Sequence, residues 1–224
     1  MKRQAWSGWG AVFGLCVLIG YGQPAHAATQ TTAQVELTPS TDERPVPPVD
    51  PEQPDRPYPG DPADPDNETG TGAYGQLTID FVSNVHFQTT TAKTGPQTLT
   101  AANQRAMIQV SDRRTRPDGW TLQVTASPLR SQQRTLASTL TLGSVQLTPG
   151  KNNVSAAPQL LTTGEIRPGV TANVVTAPSG SGLGTWLVSL NRGPTPVQLH
   201  LYEHELEAGR YTGNLAWSLT NAPA

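Results

Sequence analysis

Asp118-Gly-Trp-Thr-Leu-Gln-Val-Thr-Ala126 is the stretch whose period decides the fold. In a strand, successive side chains take opposite faces, so Trp120, Leu122, Val124 and Ala126 fall on one side and Thr121, Gln123 and Thr125 on the other. Near the C-terminus Asn214-Leu-Ala-Trp-Ser-Leu-Thr220 repeats the pattern. Tyr211, Leu215, Trp217 and Leu219 form its apolar row, with Thr212, Asn214, Ala216, Ser218 and Thr220 opposite. A half-buried strand is thus written twice, each time around a Trp-x-Leu.

Outward from these two stretches the same texture continues. Leu77, Ile79 and Phe81 alternate with Thr78, Asp80 and Val82, and predict a first strand. Further strands are expected at 85–88, 105–111, 119–126, 135–142, 145–148, 170–177, 184–190, 196–202 and 210–220. Turn-rich breaks such as Arg116-Pro-Asp-Gly119 and Pro178-Ser-Gly-Ser-Gly182 separate them. Short strands at this spacing predict an all-β fold: one β-sandwich or barrel-like domain, Ig-like or Greek-key in style, over residues 73–224. Such a length supports a core without staples.

Composition agrees. Of 224 residues only 14% are charged, while Gly and Pro number 21 each, which favours strands and turns over helices. The net charge of -2 hides an asymmetry. Ten acidic residues face two arginines between Glu36 and Glu68, whereas eleven basic residues face seven acidic ones from Ala73 onward. Residues 28–72, rich in Pro and Asp, are expected as a disordered acidic linker, because proline fixes φ, like charges repel and little apolar surface is present. A Pro-rich recognition site for a partner is the other reading of that segment.

At the N-terminus, Lys2 and Arg3 precede the apolar run Gly10–Tyr21, which ends at Ala25-His-Ala27. Basic, then apolar, then small-x-small is the order of a secretory signal peptide, expected to span residues 1–27. The apolar run is too short for a membrane span in the mature protein. Cleavage removes Cys16, the only cysteine, so no disulfide is expected. The chain ends four residues after its last expected strand, without an apolar tail or sorting motif. If the protein stays at the cell surface, the hold is expected to be non-covalent.

Several residues invite a chemical reading. His200-Leu-Tyr-Glu-His204 spells the motif of inverted zinc peptidases, but that chemistry needs helical i, i+4 spacing. Pro196–Tyr202 alternates with period two, and in a strand the two histidines stand about 13 Å apart. No metal and no other cofactor is expected. Asp80, Asp112, Asp118, Glu165, Glu203, Glu205 and Glu207 are the domain's carboxylates, and a glycosidase needs two of them across a cleft. Asp118 reads as a turn residue, and the alternating glutamates read as an exposed edge or turn. No nucleophile elbow, phosphate loop or Cys/His pair is present, so no enzyme is expected.

Arg113, Arg114 and Arg116, with Arg130 and Arg134 beyond, read either as a solvated loop or as a cationic rim that attracts an anionic polymer. Nucleic acid is a poor partner for an exported chain of such modest charge. Trp120 and Trp217 lie in apolar rows and read as core, although amphipathic rings also serve as sugar platforms. Trp186 is open to either role.

Taken together, Leu77-Thr-Ile-Asp-Phe-Val-Ser-Asn84, Val110-Ser-Asp-Arg-Arg-Thr-Arg-Pro-Asp-Gly-Trp-Thr-Leu-Gln-Val124, Gly182-Leu-Gly-Thr-Trp186 and Tyr211–Pro223 resemble the WxL family of Gram-positive surface proteins, in order. The likeness covers Leu77 to Pro223. Phe87-Gln departs from the family's usual Phe-Gly. The resemblance implies non-covalent attachment to the cell wall, chiefly peptidoglycan, beside partner surface proteins encoded with it, and a secreted, surface location. It implies no enzyme. Asp112, Arg113, Arg114, Gly119, Trp120, Leu122, Trp186, Trp217 and Leu219 are expected to define the attachment module, either by contact or by building the fold. The competing function is that of an adhesin or complex subunit that binds another surface protein.

Overall fold

The computed structural model describes residues 41–161 and 164–222. The chain divides into two units, Met1–Leu37 and Thr38–Ala224. The first, with the expected signal peptide and its cleavage site, lies outside the described residues.

The described residues hold no helix. Thirteen strands follow one another: β1 (Leu77–Val82), β2 (Gln97–Thr100), β3 (Met107–Asp112), β4 (Trp120–Ala126), β5 (Leu129–Arg130), β6 (Thr135–Leu136), β7 (Ser138–Thr141), β8 (Gln146–Pro149), β9 (Gln159–Leu160), β10 (Thr171–Ala177), β11 (Gly184–Ser189), β12 (Gln198–Leu201) and β13 (Leu215–Thr220). They build one sheet in the order β1-β3-β11-β8, a second in the order β13-β4-β10-β9, a third of β2-β12-β7, and the β5-β6 hairpin. All pairings are antiparallel. This is the expected all-β sandwich.

One apolar cluster joins the three larger sheets. Ile108, Val110, Trp186 and Val188 come from the first, Trp120, Leu122, Val124, Val175 and Ala177 from the second, and Leu140, Leu199 and Leu201 from the third. The inward row of β4 is therefore the one its period foretold. Burying such side chains contributes roughly 1.5–3 kcal/mol each.

Strand β3 differs from β4 because all six of its residues are buried, with both faces covered. Ile108 and Val110 join the main cluster, while Met107 packs with Phe81, Leu187 and Tyr58 in a second one. Phe81 corrects the simple alternation of β1. A bulge between Ile79 and Phe81 turns Phe81 to the outer face and brings Val82 opposite Ile108.

What covers the outer face of the first sheet is the acidic, Pro-rich segment itself. Over residues 41–72 the stretch read as a spacer follows a path along β1 and β3. Tyr58 sets its ring 4.8 Å from Phe81. Gln109 is fully buried; its Oε1 accepts from the Val49 amide at 2.9 Å, and its Nε2 donates to the Pro47 carbonyl at 3.0 Å. Asp61 accepts from the Gln104 and Arg105 amides at 2.9 and 2.6 Å, and Arg192 pairs with Glu52 at 2.6 Å. Proline withholds ladder donors, so this strap is held mainly by side chains and isolated backbone bonds. Composition alone gives no sign of such long-range partners.

Candidate functional site

Asp112, at the end of β3, and Arg114, in the loop that follows, form the densest polar knot near the motif. The guanidinium grips the carboxylate at both ends, Nε to Oδ1 at 2.8 Å and Nη2 to Oδ2 at 2.7 Å. Nη2 also donates to the Gly119 carbonyl at 3.0 Å, and Nη1 to Asn221 Oδ1. Arg114 thus ties the entry of β4 to the end of β13. The Asp112 side chain is fully buried and that of Arg114 is 13% exposed. The hydrogen bonds to Asp112 hold the arginine's proton more tightly than usual.

Arg113 also turns inward. Nη2 donates to the Gly75 carbonyl, and Nη1 stands 3.9 Å from Asp42. Arg116 and Arg130 are exposed, and Arg134 pairs with Glu207 at 3.0 Å. Two arginines of the expected cationic rim are therefore engaged within the fold: Arg114 because the buried Asp112 carboxylate needs a charged, hydrogen-bonded partner, and Arg113 through the Gly75 carbonyl.

The tryptophans divide. Trp120 and Leu122 are wholly buried, and Trp120 Nε1 donates to the Gly182 carbonyl at 3.1 Å. Gly182 has φ +76, and a Cβ there would stand 2.9 Å from Trp120 Nε1 and press on Ala177. Glycine is what lets the backbone lie under the indole. Trp186 is 3% exposed and donates to the Leu183 carbonyl at 3.0 Å, so its place is the core. Trp217 and Leu219 pair with Val124 and Leu122 but remain half-buried.

Trp217, Tyr211 and Leu215 line a cleft of about 1040 Å³ together with Leu99, Leu199 and Leu201. Gln97 lines it too, and its Oε1 is buried without a hydrogen-bond partner. A second hollow, about 700 Å³, lies between the strap at Val46 and Val49 and the loop Gly150–Ala156. Neither Gln97 nor the strap carries a signal in the sequence, since Gln97-Thr-Leu-Thr100 has a single apolar residue and the strap has no period.

The outer face of the second sheet is a lattice of small polar side chains. Register places Thr171, Thr125 and Ala216 in one cross-strand row, Asn173, Gln123 and Ser218 in the next, and Thr176, Thr121 and Thr220 in the third.

His200 lies in β12 and its Nδ1 stands 3.0 Å from Thr98 Oγ1. Among the described residues no group of three or more His, Cys, Asp or Glu side chains could hold a metal ion. Glu203 accepts from the Ala137 amide at 3.0 Å, and Asp118 is exposed, with its amide donating to the Arg116 carbonyl at 3.0 Å. Among the described residues no helix is long and apolar enough to cross a membrane.

No curated protein and no solved structure matches the chain. The family described as "WxL domain surface cell wall-binding" matches it over residues 25–223. That match takes in the strap, the sandwich and all four ordered motifs, and the chain belongs to the WxL domain surface cell wall-binding family.

Proposed function

We propose that the folded unit attaches an exported protein to peptidoglycan non-covalently and without catalysing a reaction on it. In this reading residues 1–27 are removed on export, and the mature chain stays at the cell surface beside other surface proteins. The observation that carries it is the extent of the family match, residues 25–223. It spans strap and sandwich alike, and the strap's buried bonds to β1 and β3 support treating the two as one module.

The test is sedimentation with purified sacculi. The protein is expected to pellet with them, before and after the sacculi are treated with protease, and to release no soluble fragments. Loss of pelleting after protease treatment would point to a protein target. Released muropeptides would contradict the non-catalytic reading.

A further inference from the structure

Resting on the wall-attachment reading, we propose that the outer face of the β13-β4-β10 sheet is the contact surface, and that it takes a neutral glycan strand bearing hydroxyl and acetamido groups. The three cross-strand rows contain six hydroxyls, two carboxamides and one methyl, and no ionisable side chain. Anionic polymers are held by Lys and Arg, whose attraction this lattice cannot supply. A polymer of hydroxyls and amides offers what the lattice can pair with, donors and acceptors side by side.

The lattice is already ordered. Thr125 Oγ1 and Thr171 Oγ1 are 2.8 Å apart, and Gln123 Nε2 donates to Asn173 Oδ1 at 2.7 Å. These bonds fix rotamers before any ligand arrives, which lowers the entropy cost of binding. They leave the Asn173 NH2 as donor and the Gln123 carbonyl as acceptor. Columns stand about 4.8 Å apart and rows about 6.8 Å apart, and every side chain is small, so a chain can lie flat. Thr171, Asn173, Ala216, Ser218 and Thr220 are exposed. The third row is largely closed, since Thr121 and Thr176 are buried and Thr121 donates to the Ala222 carbonyl at 2.9 Å, so the accessible groups lie in the first two rows and at Thr220.

The other surfaces fit such a ligand less well. The outer face of the β1-β3-β11-β8 sheet is occupied by the strap, and the large cleft, although Trp217 and Tyr211 stand in it, is floored by Leu99, Leu199 and Leu201. The lattice has no aromatic platform, and a hydrogen bond exchanged with water contributes only about 1 kcal/mol. Binding therefore depends on many contacts along a long polymer.

The test compares the wild-type protein with an Asn173→Ala, Ser218→Ala double variant. Both are pelleted with sacculi stripped of their anionic polymers, and with chitin, a neutral N-acetylated glycan without peptides. We expect the wild type to pellet with both, with little change on raising salt from about 50 to 500 mM. The double variant should lose roughly tenfold in affinity with an unaltered melting curve. Full binding by the double variant, or wild-type binding to sacculi but not to chitin, overturns the proposal while leaving wall attachment standing. Failure of the wild type to pellet with sacculi removes both.

Discussion

Strands β4 and β13 carry the same Trp-x-Leu and pair along their whole length, yet they do different physical work. Trp120 and Leu122 are closed over by both sheets and by Gly182, whereas Trp217 and Leu219 lie on a sheet edge with one side half open. Position in the sheet explains this. β4 is flanked by β10 and β13, while β13 has a single neighbour, β4. The same motif closes a core in one strand, while in the other its Trp217 lines a cleft.

The largest effect expected of a single change falls on β4. Trp120→Ala should cost about 3–5 kcal/mol, read from denaturant melts. A loss no larger than that of Trp217→Ala in β13 would erase the distinction between the strands. Arg114→Ala should come next at roughly 3 kcal/mol, because it leaves the buried Asp112 carboxylate unpaired and frees both the β4 entry and the β13 end. Arg113→Ala, whose partners are a carbonyl and a distant, exposed Asp42, should cost well under half of that. Trp217→Ala is expected to cost about 1–2 kcal/mol, in proportion to its partial burial.

The smallest effect concerns the strap, and it separates strap from motif strands by pH. Burial against Phe81 pushes the Tyr58 hydroxyl from its ordinary 10.0 up to about 12. The folded state therefore prefers the neutral phenol. Its contribution is fully present below pH 10 and is lost as pH rises through about 12. Urea melts across that window should show the decline, and Tyr58→Phe should abolish it. Asp80 behaves in the same sense at acid pH. Burial raises its pKa against the hydrogen bonds from Ser111, Thr78 and Gln109, so ionising it costs stability and mild acid restores some.

Much of the sandwich was legible because its longer strands are apolar stretches bounded by turn-rich breaks, with strict alternation in β4 and β13. β3, β4, β10 and β11 fall within a residue or two of their expected ends. Legibility ended where partners are distant or patterns short. β2, β5 and β9 have too few apolar residues to show a period. The expected strand 135–142 is broken at Ala137, because its two halves pair with different partners, β5 and β12. The expected strand 210–220 begins only at Leu215; Thr212 instead bridges Arg130. Charge misled most in the arginine loop, since the sequence shows cations but not the buried Asp112 that one of them serves. The strap left a trace only in β3, where Met107 and Ile108 are both apolar and Gln109 needs partners on the outer face.

The most direct test of the distinction between the two motif strands is the sacculus binding of Trp120→Phe. The substitution keeps an aromatic ring in the core but removes the bond to the Gly182 carbonyl. If Trp120 builds the domain without touching the wall, the variant melts at a lower temperature, yet its folded form pellets with sacculi as fully as the wild type. A variant that melts like the wild type but no longer pellets would place Trp120 at the contact and contradict the core assignment.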